Sequence, residues 1–74
     1  MNSKKPTLSI VVPVYYSEKS LEPLTTRLLE VLPTIASEYE IILVNDGSKD
    51  GSWRVIEELE KKYPKVKGIC MMRN

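Results

Sequence analysis

The strongest constraint on this chain's fold is a regular alternation between short β-branched apolar runs and stretches with helical spacing. "LSIVVPV" over residues 8–14 and "EIILV" over residues 40–44 are nearly continuous in apolar residues. Runs of this kind predict strands covered on both faces. After the first run, Ser20 is a candidate N-cap, and Pro23 falls in the first turn, where a missing N–H is tolerated. Leu21, Leu24, Leu28, Val31, Leu32 and Ile35 then recur at helical intervals, and Pro33 should end or bend that helix near Leu32. After the second run, Asp50 or Ser52 can cap a second helix. Trp53, Ile56, Leu59 and Tyr63 mark its apolar face, and Pro64 closes it. Residues 66–72 read as a third strand, weakened by Gly68.

The order β-α-β-α-β argues for an α/β domain of parallel strands joined by right-handed crossovers. Parallel pairing brings every strand C-terminus to one edge of the sheet, where open α/β sheets bind ligands. Three polar clusters should meet there: "YYSE" after the first strand, "NDGS" after the second and "RN" after the third.

Composition removes several classes of function. A net charge of +1, with lysines interleaved among glutamates as in "EELEKKYPK", argues against a nucleic-acid surface. No histidine occurs, which excludes imidazole chemistry and the usual zinc sites. The single cysteine, Cys70, cannot form an internal disulfide and fits a reducing compartment; it reads as a small core residue, as do Trp53 and the methionines. The apolar runs fall far short of the ~20 residues of a spanning helix. Lys4 and Lys5 precede an apolar patch, but Pro13 interrupts it and no small-residue cleavage site follows, so no signal peptide is expected. The chain reads as soluble, with residues 1–6 frayed. A core of this size contributes about 3–5 kcal/mol unless something else supports it.

Asp46 is the most informative residue. A carboxylate at a strand end accepts hydrogen bonds and suits a ligand edge that donates them, such as a nucleobase imide or a ribose. Gly47 lets the backbone leave the strand with positive φ. Residues 48–52, starting with Ser48, then feed N–H groups toward a helix N-terminus, which favours anions. The plain alternative is that Asp-Gly is an ordinary turn former whose carboxylate bonds its own backbone.

The other candidates carry similar pairs of readings. Tyr15 and Tyr16 can stack on a base or simply pack at a strand end. Glu18 can stand at a pocket mouth or serve as an acid favourable to the helix dipole. Arg73 can neutralise a diphosphate or be solvated, and Asp50 reads more readily as a cap than as a ligand. No Asp-x-Asp pair, phosphate loop or dinucleotide turn occurs, and no second carboxylate is placed as a general base. These residues make part of a binding site and not a complete catalytic one.

"LSIVVPVYYSE", "YEIILVNDGSKDGSW" and "MMRN", in that order and spacing, resemble the start of the family 2 glycosyltransferases. The resemblance covers residues 8–74. It implies half of a three-layer, Rossmann-like GT-A domain in an inverting enzyme that uses a UDP- or GDP-sugar. The nearest branch transfers glucose or mannose to a polyprenyl phosphate; a cell-surface polysaccharide is the other acceptor considered.

By the same resemblance, Pro13 and Tyr15 line the base, Asp46 contacts the base or ribose, and Arg73 and Asn74 begin an Arg-Asn-x-Gly stretch. Two positions depart from the family pattern, which commonly has Asn at Tyr16 and often Asp at Asn45. Family members continue into an Asp-x-Asp metal site for Mg or Mn, an acceptor region and a catalytic base, and the lipid-directed branch often adds membrane helices. Residues 1–74 are therefore expected to be an N-terminal part of the nucleotide-binding domain, inactive alone. The longer protein would be cytoplasmic or at the cytoplasmic membrane face. The first strand would keep an open edge, through which the chain could dimerise. A nucleotide- or anion-binding module without catalysis, and a structural module, are the alternatives.

Overall fold

The structure is a computed structural model and describes residues 7–71. Its elements are β1 (Thr7–Val14), α1 (Leu21–Val31), a 3-10 turn (Leu32–Thr34), β2 (Glu38–Asp46), α2 (Ser52–Lys62) and β3 (Val66–Met71). The sheet order is β1-β2-β3 and both pairings are parallel. Ile10 pairs with Ile41, Val14 with Asn45, and Asp46 with Met71. This is the expected β-α-β-α-β architecture, with β2 longer at both ends than its apolar run.

Both helices lie on one face of the sheet. Val14, Ile41, Leu43 and Val66 from the strands form a single cluster with Leu21, Leu32, Ile56 and Leu59 from the helical segments. Gly68 has a packing role there: a Cβ on it would collide with Ile56, so its bareness lets α2 lie close to β3. Pro33 falls in the 3-10 turn, where α1 has already ended.

The strands are covered on one face only by the described residues. Burial along β1 alternates, and Val11 on the open face is 60% exposed. Val11 pairs with Ile42, and Pro13 with Val44, so the open face carries an apolar strip that continues to Ile69 and Met71, both about half exposed. The expected cover on both faces is thus corrected: the described residues supply two layers, a sheet and one layer of helices.

Three further packing expectations change. Leu24, Val31 and Ile35 are exposed, because α1 meets the sheet along the narrower stripe of Leu21, Thr25, Leu28 and Leu32. Cys70 is exposed, since it lies near the C-terminal end of an edge strand. Met71 belongs to the open face and not to the core, and Trp53 is half-buried against the cluster. Residues 1–6 and Arg73, with its expected role, lie outside the described residues.

Candidate nucleotide site at the strand ends

The C-terminal ends of the strands form the rim on which the site would be built. Tyr15 follows Val14 directly, and Val14 pairs with Asn45, so Tyr15 and Asp46 leave neighbouring strands at the same level. Strand alternation sends Asn45 and Asp46 to opposite faces. Asn45 is buried on the helix side, and Asp46, half-buried, belongs to the open side with Pro13 and Val44. Gly47 then takes φ 76°, the left-handed turn expected of it.

Asn45 has a structural task. Its Oδ1 accepts from the Ser48 amide at 3.3 Å, and its Nδ2 points at the Cys70 sulfur 3.9 Å away. An amide can do both; an ionised carboxylate could only accept.

The loop after β1 and the loop after β2 are cross-linked. The Tyr16 amide donates to Ser48 Oγ at 2.8 Å, and the Ser17 amide donates to Ser52 Oγ at 3.0 Å. The Gly51 amide donates to Glu18 Oε1 at 3.0 Å in the opposite sense. Tyr16 is held at φ 49°, left-handed for a residue that is not glycine, and its ring meets that of Tyr15 edge-on with centroids 4.6 Å apart. Tyr15 itself is 67% exposed.

This clasp alters how the turn can act on an anion. The Ser48, Gly51 and Ser52 amides bond Asn45, Glu18 and Asp50, so these donors are satisfied within the chain. Two of the acceptors are carboxylates. For these three amides the expectation of free N–H groups offered to an anion is corrected. Asp50 lies before the N-cap of α2 and accepts from the Ser52 amide at 3.0 Å. Hydrogen bonding from the Ser52 side chain is the largest influence holding its carboxyl below the ordinary value of 3.8. Ser20 takes the expected N-cap position of α1, but its hydroxyl bonds the Ser17 carbonyl and leaves the helix amides alone.

Of the expected site residues, Pro13, Tyr15, Asp46 and Gly47 gather at the rim, while Ser48 and Glu18 stand behind it with oxygens engaged by the protein's own backbone. Ser52, fully buried, was expected as a cap or as an amide donor of the turn; its hydroxyl is part of the clasp. Among the described residues, no group of three or more His, Cys, Asp or Glu side chains is placed to hold a metal ion. No described helix is long and apolar enough to cross a membrane.

Comparison with known proteins adds a family. The model described as Glycosyl transferase family 2 matches residues 9–74. An uncharacterized glycosyltransferase of Synechocystis sp. is 45% identical over 67 residues, which are 90% of this chain and 21% of that protein. An uncharacterized glycosyltransferase of Bacillus subtilis is 44% identical over 66 residues, 89% of this chain and 20% of its own length. The undecaprenyl-phosphate 4-deoxy-4-formamido-L-arabinose transferase of Shewanella sediminis is 40% identical over 68 residues, 90% of this chain and 20% of its own. The chain spans about a fifth of the length of these relatives.

Proposed function

Because this chain belongs to glycosyl transferase family 2, we propose that it is the nucleotide-binding part of an enzyme that moves a sugar from a UDP- or GDP-sugar to an acceptor. The observation that carries the reading is that Tyr15 and Asp46 directly follow the paired Val14 and Asn45 at the C-terminal rim of a parallel sheet. Asp46 accepts from the base or ribose, the Tyr15 ring and Pro13 flank the base, and Gly47 turns the backbone out of the way. Arg73 faces the diphosphate in this scheme. The relative from Shewanella sediminis, named for undecaprenyl phosphate, supports a polyprenyl phosphate as the acceptor.

The 74 residues bind the nucleotide and do not transfer the sugar. Mg or Mn, the catalytic base and the acceptor site belong to the longer protein, which works in the cytoplasm or at the cytoplasmic membrane face. A second copy of the chain pairs along the outer edge of β1.

One observation favours a second reading, a module that binds or scaffolds without transfer: the Ser48, Gly51 and Ser52 amides already bond acceptors within the chain. Saturation-transfer NMR with UDP and with GDP tests the first reading. Saturation should reach the base and ribose protons of one nucleotide, and Asp46→Ala should remove it. The thermal midpoint should stay within about 4 °C, as for a substitution costing under about 0.5 kcal/mol. Saturation of neither nucleotide by the unmodified chain would leave the plain scaffold.

A further inference from the structure

Tyr16 holds a backbone conformation that its own chemistry disfavours. A tyrosine at φ 49° places its Cβ against the neighbouring carbonyl, at a cost that glycine avoids and asparagine offsets by local hydrogen bonding. Such a conformation persists only where the surroundings impose it. Here the imposing contact is visible: the Tyr16 amide donates to Ser48 Oγ at 2.8 Å, and the next amide, Ser17, donates to buried Ser52 Oγ at 3.0 Å. Two successive amides of the first loop are thereby fixed to two hydroxyls of the second.

From this arrangement we infer that Ser48 is a positioning residue, which keeps Tyr16 left-handed and so sets the Tyr15 ring beside Asp46. The inference rests on the nucleotide reading above and deepens it. Tyr15 immediately precedes the pinned residue, and its exposed ring is braced edge-on by the Tyr16 ring at 4.6 Å. Tyr15 makes the contact with the base; Ser48 acts only through the backbone. The bond also couples the two halves of the site, since Ser48 lies two residues after Asp46. Without it, Tyr16 relaxes to negative φ, the Tyr15 ring leaves its place and the two binding groups lose their fixed separation.

The test uses the whole chain, labelled for NMR, with UDP and GDP as probes. In Ser48→Ala, the Tyr16 amide should exchange faster while the Ser17 amide, held by Ser52, stays protected. The Tyr15–Tyr16 ring cross-peaks should vanish, and nucleotide affinity should fall about fivefold, the scale of one hydrogen bond. Ser48→Thr keeps the hydroxyl and should restore all three readouts. The double variant Ser48→Ala with Tyr16→Asn separates positioning from direct contact, because asparagine adopts the left-handed conformation without the bond. Recovered affinity in the double variant supports positioning. Persistent weakness there, with Tyr16→Asn alone binding as the unmodified chain does, would mean that the Ser48 hydroxyl touches the nucleotide itself, which overturns the inference. Unchanged ring cross-peaks and affinity in Ser48→Ala would overturn it as well. If the unmodified chain binds neither nucleotide, the functional reading falls and this use of the clasp falls with it; binding that ignores Ser48→Ala defeats the inference alone.

Discussion

Asp50 is the side chain through which this rim is expected to sense acid. Its carboxylate accepts from Ser52, whose hydroxyl also receives the Ser17 amide, so a proton on Asp50 disturbs both loops. Because the folded state holds its pKa below 3.8, the unfolded chain binds the proton more readily. Stability from this group is present above that value and is lost as pH falls through the folded pKa. Thermal midpoints followed from pH 7 to pH 3 should decline below about pH 4, and Asp50→Asn should flatten part of that decline. A variant with an unchanged acid slope would show that Asp50 does not matter to the clasp. The strand-end position of Asp46 and the left-handed turn at Gly47 were legible, because a polar residue followed by glycine marks where a strand leaves its sheet. The clasp was not, because serines carry no periodic signal and their partners lie more than thirty residues away in sequence. One hint was present: the family's common Asn at position 16 suits a left-handed backbone, which Tyr16 adopts under constraint.

Among the elements, α1 carries a polar side chain into the core. Thr25 is fully buried on its inner stripe, and its hydroxyl has no hydrogen-bond partner among the described residues. A buried hydroxyl without a partner has lost water and gained nothing in exchange. Thr25→Val keeps the branched shape and should stabilise the chain by about 1 kcal/mol, raising the thermal midpoint by about 4–8 °C. A lower midpoint would indicate a bridging partner for that oxygen. The helices were readable from the intervals of Leu21, Leu28, Leu32, Trp53, Ile56 and Leu59 together with Pro33 and Pro64. Which flank of α1 is buried was not, since Leu24 and Val31 keep the same interval yet face outward. Spacing defines a stripe, while its buried width depends on the neighbours that arrive to cover it.

For the whole molecule, the apolar continuity of "IVVPV" and "IILV" correctly announced parallel strands but promised two covered faces, and the described residues cover one. Val11 sits at the middle of that difference, exposed on the open face and on the outermost strand. If β1 edges pair between copies, scattering mass should rise with concentration, and Val11→Lys should hold the chain monomeric by placing a charge in the contact. A monomer at millimolar concentration without the substitution would rule out that pairing. The shared rim is the central claim, and it is tested most directly by mapping backbone amide shifts as UDP and GDP are added to the unmodified chain. Nucleotide binding at the strand ends predicts that the largest movements cluster at Tyr15, Asp46 and Gly47 with at least one of the two. Shifts confined to the opposite end of the sheet around Ser9 and Glu40, or none with either nucleotide, would contradict it.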